Sequence, residues 1–160
     1  MAAGDYFLKI DGIQGKSRDD RHKDEIDIES FSWGGDAERH FCRRRRRGSR
    51  QSLNAGFPFH HASEKASSAL FLACAQGDHI KNAILTCRKA GKKQQEFMKV
   101  TMSDVLVSLF QIGGAVGVVP TDQISLNFAK IEVEYQEQDA TGKIVASIKK
   151  WFDLNSMKGD

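Results

Sequence analysis

No stretch of this chain approaches the roughly 18 consecutive apolar residues that a membrane-spanning helix needs, so insertion through a helix is not expected. The start, Met1 to Asp11, alternates apolar and polar residues and has no continuous apolar segment, so it does not read as a cleaved signal peptide. The chain is therefore expected to be made and folded in a cytoplasm. If it is exported, the route needs no cleaved signal. Cysteine is scarce: Cys42, Cys74 and Cys87 are odd in number and widely spaced, which excludes a disulfide framework. Cys74 and Cys87 sit in apolar surroundings and read as small core residues. The motifs of common chemistry are missing too, with no Gly-x-Ser-x-Gly, no phosphate-binding loop and no dinucleotide fingerprint. An enzyme is not expected, nor is a cofactor or a metal. No internal repeat is visible.

What remains is enough for one ordinary domain. The chain has 160 residues, of which 40% are hydrophobic and 28% charged, which suffices for a single core. The net charge of +3 is local in origin. Arg43, Arg44, Arg45, Arg46 and Arg47 form one run, and without them 19 basic residues face 21 acidic ones. The basic balance thus says little about the rest of the surface.

Most of the chain has the period-two rhythm of strands. Tyr6, Leu8 and Ile10 share one face, and the Gly-punctuated stretch from Asp11 to Asp20 is a loop. Ile80 to Ala90 is a strand that turns at Gly91-Lys92-Lys93 into the next, and Ile144 to Leu154 is the last. Three strands change their apolar parity midway. Ile26 and Ile28 give way to Phe31 and Trp33. Met98, Val100 and Met102 give way to Val105, Val107 and Leu109. Ile124, Leu126 and Phe128 give way to Ile131, Val133 and Tyr135. A flat sheet needs no such breaks, whereas strands that bend around a small barrel do. One segment is helical: Ala66, Ala69, Leu70, Ala73 and Cys74 recur at helix spacing between Ser63, the expected N-cap, and the stop at Gly77. Phe71 and Leu72 widen its apolar face, so deep burial is expected. The fold class is mainly β: a small antiparallel β-barrel of two sheets with one flanking α-helix.

Several clusters invite a functional reading and are outweighed by a plainer one. His60 and His61 with Cys74 fit no zinc spacing and read as polar residues near the helix start. Asp19, Asp20, His22, Asp24 and Glu25 lie in a polar loop, where a solvated cluster is favoured over acid–base chemistry. Arg43 to Arg47 suit nucleic-acid phosphates, but no interleaved aromatic or recognition signature accompanies them, so a solvated loop is favoured.

The ordered motifs resemble one family. Tyr6-Phe7-Leu8-Lys9-Ile10-Asp11-Gly12-Ile13 with Gly15, then Phe31-Ser32-Trp33-Gly34, then Leu70-Phe71-Leu72-Ala73-Cys74-Ala75 with Gly77 are similar to the haemolysin-coregulated protein family. So are Arg88-Lys89-Ala90-Gly91, Ser103-Asp104-Val105-Leu106-Val107-Ser108, Ser125-Leu126-Asn127-Phe128-Ala129 and Val133-Glu134-Tyr135, in the same order. Each motif alone is weak; their joint order across one domain, 1–160, is specific. The resemblance implies a structural subunit of the type VI secretion inner tube. Its partners would be other copies in hexameric, stacked rings, a spike protein at the tip, a contractile sheath, and small effectors carried in the lumen before secretion. Ser32, on the strand face opposite Phe31 and Trp33, then becomes a candidate lumen residue beside its plain reading as a solvent-facing serine.

The match fails between about residues 37 and 60, where the family has a Gly-rich loop and then a strand. Here a basic loop stands instead, which makes Arg43 to Arg47 the candidate ring-stacking loop. Glycine codons read one base out of register become arginine codons, so a local frameshift is one reading of this segment. Pro58 argues that any strand here is distorted or lies at an edge. The alternative function is a small β-barrel nucleic-acid-binding protein using the arginine run.

Overall fold

The alternating segments become strands whose polar edges pair in antiparallel ladders. The computed structural model describes residues 4–37, 51–53, 56–90 and 94–160. In chain order they form β1 (Gly4–Ile10), β2 (Ile26–Asp27), β3 (Ser30–Phe31), β4 (Gly35–Ala37), β5 (Gln51–Leu53) and β6 (Gly56–Ala62), then helix α1 (Lys65–Gln76). There follow β7 (His79–Lys89), β8 (Glu96–Gly113), β9 (Thr121–Gln138), β10 (Ile144–Asp153) and β11 (Lys158–Gly159). Arg43 to Arg47, Cys42 and the Gly91–Lys93 turn lie outside the described residues. Strands β4 and β5 pair with each other, Ala37 opposite Gln51.

The fold is mainly β with one helix, as the sequence implies. Strands β1, β7, β8, β9 and β6 are hydrogen-bonded neighbours. The short pair β2–β3 joins the two ends of that series: β2 pairs with β1, and β3 with β6. Consecutive residues make the join, since the Ile28 N–H donates to the Tyr6 carbonyl (2.9 Å) and the Glu29 N–H to the His60 carbonyl (2.9 Å). The two layers of the barrel are therefore one continuous nine-stranded network folded on itself, with β10 and β11 added beyond β9. Leu8, Ile26, Phe57, Phe59, Leu70 and Leu85 are almost wholly excluded from solvent inside it. Burial of each is worth about 1.5–3 kcal/mol.

Each parity break marks a corner. Ile26 and Ile28 are buried while the chain is paired to β1; Phe31 and Trp33 pack on the core once it has moved to β6. On β8 the buried residues change from Val100 and Met102 to Val105 and Val107 across Asp104, whose φ of 53° is left-handed. Opposite it, β9 changes from Ile124, Leu126 and Phe128 to Ile131. The first half of β9 pairs with β6 and the second with β10. The core face therefore follows each strand around the bend.

Four expectations need correction. The β8–β9 register slips between Val107 and Leu109, which puts Phe110 rather than Leu109 opposite the buried Ile124. The helix begins one residue late: Glu64 is the N-cap, and its N–H donates to Ser67 Oγ (2.9 Å). Phe71 and Leu72 do not deepen the buried face; they are 56% and 49% exposed, because α1 buries only Ala66, Ser67, Leu70 and Ala73. Finally, β6 is neither distorted nor at an edge. It pairs in register with β9 throughout, and Phe57 and Phe59 fill the core. Pro58 is tolerated because its polar edge faces the short strand β3, beyond whose last residue its carbonyl accepts the Ser32 N–H (3.1 Å). The stop at Gly77 is as expected, with a left-handed φ of 66°.

Gly15 is required for the loop after β1 to close. Its N–H donates to the Asp24 carbonyl (2.8 Å), and a Cβ here would lie 2.2 Å from the Glu25 carbonyl oxygen. That obstacle is backbone and cannot swing away. We expect Gly15→Ala to destabilise the domain by about 1–3 kcal/mol, read as a lower urea midpoint at unchanged slope.

Candidate assembly and lumen surfaces

The residues singled out from the sequence fall in three places. Ser32 follows β3, is exposed, and is flanked by Phe31 and Trp33, which pack against the core. Phe31 meets Tyr6 edge-on (5.1 Å) and stacks on Phe57 (5.7 Å). Ser32 is thus held outward by two anchored neighbours and by its N–H bond to Pro58. Alternation along β6 separates the two histidines. His60 reaches outward to Ser30 Oγ (3.1 Å), while His61 is fully buried. Cys74 lies on α1, so these three do not form a common site.

The buried face of β9 carries a polar residue that its sequence position announces. Asp122 shares parity with Ile124, Leu126 and Phe128 and is fully buried. A carboxylate there must find donors. Ser63 Oγ donates to it (2.6 Å), Ser67 Oγ donates to its other oxygen, and His61 Nε2 lies 3.4 Å away. The His61 Nδ1–H donates to the Ala62 carbonyl (2.8 Å). Both serines donate to the carboxylate rather than to the imidazole, so neither is activated as a nucleophile. The cluster ties the start of α1 to β9. It replaces the N-cap role expected of Ser63.

The acidic cluster after β1 is not a freely solvated loop. Arg88 on β7, almost fully buried, holds Asp19 Oδ2 (2.8 Å) and Asp5 Oδ2 (3.1 Å) and lies over the Phe7 ring (4.8 Å). His22 stacks on Phe7 (4.4 Å) with its two ring nitrogens beside Glu25 (2.9 Å) and Glu96 (3.1 Å). Burial alone would raise the Asp19 carboxyl. The Arg88 hydrogen bond and the N–H groups of Arg21 and His22 outweigh it and hold Asp19 below the usual carboxylate range. Burial acts unopposed on the Cys87 thiol and pushes it up to about 11, which makes it unreactive near neutrality.

A third feature was not anticipated. Between α1 and the end of β8 lies a groove of about 690 Å³ lined by Glu64, Phe71, Cys74, Ala75, Phe110 and Ile112, among others. Phe71 and Phe110 meet edge-on at 5.8 Å. The helix pattern contained the signal, since Phe71 lies outside the narrow stripe of Ala66, Leu70 and Ala73.

The sign of the pH effect at Asp19 follows from its depressed value. The pair stabilises the fold above the ordinary aspartate range, and that stability is lost as acid protonates Asp19 in the folded state. Asp19→Asn should cost about 1–3 kcal/mol at neutral pH. Variant and parent should converge at a pH below both titrations, as read from thermal melts across acid pH.

Comparison with known proteins agrees with this architecture. The family model described as "Type VI secretion system effector, Hcp" matches residues 7–135. Protein hcp1 of Pseudomonas aeruginosa is 36% identical over 142 residues, 88% of each chain. The crystal structure of Hcp1 from Salmonella typhimurium is similar with a TM-score of 0.80 at 32% identity, covering 99% of this chain and 100% of that one. A second solved type six secretion system protein matches at a TM-score of 0.88 and 26% identity, over 99% of this chain and all of its own. No described helix is long and apolar enough to cross a membrane. The chain therefore belongs to the Hcp family of type VI secretion, a family of secreted structural proteins rather than enzymes.

Proposed function

We propose that this protein is a subunit of the type VI inner tube: it closes into hexameric rings, the rings stack, and small effectors travel in their lumen. The observation that carries the reading is family membership along the whole barrel. A second observation supports it. Phe71, Leu72, Ile112, Val116, Val118 and Val119 are large apolar side chains left in solvent around one end of the barrel, more than a lone soluble domain needs.

In this reading Ser32 faces the lumen, where a small hydroxyl tolerates varied cargo. Arg43 to Arg47, which fall between β4 and β5 in the sequence, serve in this reading as the contact between one ring and the next. A spike protein caps the tube and a contractile sheath surrounds it. The chain is made in the cytoplasm of the producing bacterium and leaves through the machine it builds, without a cleaved signal.

Native mass spectrometry with negative-stain imaging tests the ring. A hexamer with an open centre is the expected result. A monomer whose nucleic-acid binding falls steeply with salt would replace this reading with that of a basic binding protein. Ser32→Arg should leave the hexamer intact and lower effector co-purification severalfold; unchanged co-purification would remove Ser32 from the lumen.

A further inference from the structure

The loop after β1 carries as many cations as anions, and the fold sorts them. Between Lys16 and Glu25 the sequence sets Lys16, Arg18, Arg21 and Lys23 against Asp19, Asp20, Asp24 and Glu25. Two of the carboxylates are spent inward: Asp19 on the buried Arg88 (2.8 Å) and Glu25 on the buried His22 (2.9 Å). Three of the cations are turned the other way. Lys16, Arg18 and Lys23 are exposed and line one cleft of about 770 Å³ together with Asp24 and Asp27. Lys65, at the start of α1, adds a fourth cation to the same cleft from a different element.

The cleft is held by bonds that leave these ammonium and guanidinium groups unused. The Lys16 N–H donates to Glu64 Oε2 (2.7 Å), which pins the loop to the N-cap of α1. The Ser17 N–H donates to the Glu25 carbonyl (3.0 Å), and the Asp24 N–H donates back to the Ser17 carbonyl (3.0 Å). The walls are therefore fixed without a ligand. Of the four cations only Lys65 has an ion partner among the described residues, the half-exposed Asp24 at 3.6 Å. No described carboxylate lies within ion-pair distance of Lys16, Arg18 or Lys23.

Like charges gathered in one cleft repel one another, and a concave wall focuses their field. Asp24 and Asp27 against four cations leave the lining at +2. A monovalent anion gains little there, because it answers one cation at a time. A chain of phosphates answers several at once, with the Arg18 fork taking two oxygens and each lysine acting as a point charge. We propose that this cleft binds a small phosphate-chain anion, a nucleoside triphosphate or an inorganic polyphosphate, through Lys16, Arg18, Lys23 and Lys65. The site lies within one copy of the chain, so it stands apart from the ring reading.

Isothermal titration calorimetry of the full chain with sodium tripolyphosphate reads the site directly. One anion bound per copy, more weakly as salt rises, is the expected result. Replacing Lys16, Arg18 and Lys23 together with Gln should weaken binding by at least about tenfold. A second triple variant, Lys9→Gln with Lys81→Gln and Lys99→Gln, removes the same charge from exposed positions on β1, β7 and β8 and should bind as the parent does. Only exposed side chains change in either variant, so thermal melts without the anion should match the parent's. An equal loss in both variants would reduce the effect to diffuse attraction and overturn the site. A parent that does not bind tripolyphosphate would overturn it as well. Adenosine triphosphate separates the two sources: tighter binding than tripolyphosphate supports a nucleotide site, and equal or weaker binding supports a site for the inorganic chain.

Discussion

The bend in the β8–β9 ladder is the constraint on which the rest of the molecule depends. A strand of 18 residues cannot keep one parity buried around a small closed core. The left-handed turn at Asp104 and the matching change from Phe128 to Ile131 resolve this. They let the same two strands supply core residues to both layers. Because β9 changes layer, it pairs with β6 before the bend and with β10 after it. The short β2–β3 segment makes the corresponding turn from β1 to β6, and the network has no free edge there. Had β9 run straight, one half of its apolar residues would face water.

Polar clusters fix the elements that the ladders do not. Helix α1 contributes few large side chains to the core, and its seat depends on Asp122 with Ser63, Ser67 and His61 as much as on Leu70. The loop after β1 has almost no apolar content. It is held by Arg88 through Asp19, and by Gly15, whose missing side chain allows the backbone to approach Glu25. Replacing such a buried charge pair with apolar groups can be neutral, but removing one partner is not. The arrangement is therefore sensitive to single substitutions at positions that look like ordinary loop residues.

Much of the fold was legible, and the reason is specific. Parity is a local property of the sequence, so the breaks at Ile28 to Phe31, Met102 to Val105 and Phe128 to Ile131 could be read directly. Asp122 was legible in principle, since an aspartate in phase with Ile124 and Leu126 must be buried and partnered. The slip at Leu109 was not, because Leu109 is itself apolar and continues the Val105–Val107 alternation, so the change of face to Phe110 and Ile112 is masked by it. Nor was the partnership of Arg88 with Asp19, which joins residues far apart in sequence. Pro58 misled for a related reason: a proline rules out a ladder bond on one edge only, and which edge it faces depends on where β3 ends.

The same geometry explains why the exposed apolar surface has the form it does. In a barrel whose strands all stopped at the core boundary, Ile112 and Tyr135 would be loop residues with no reason to be large or apolar. Instead they continue the alternation of a core face beyond the core, in phase with Ile124 and Ile131 respectively. Side chains kept in that pattern, but beyond the reach of the chain's own packing, leave apolar surface of the kind that marks interaction sites.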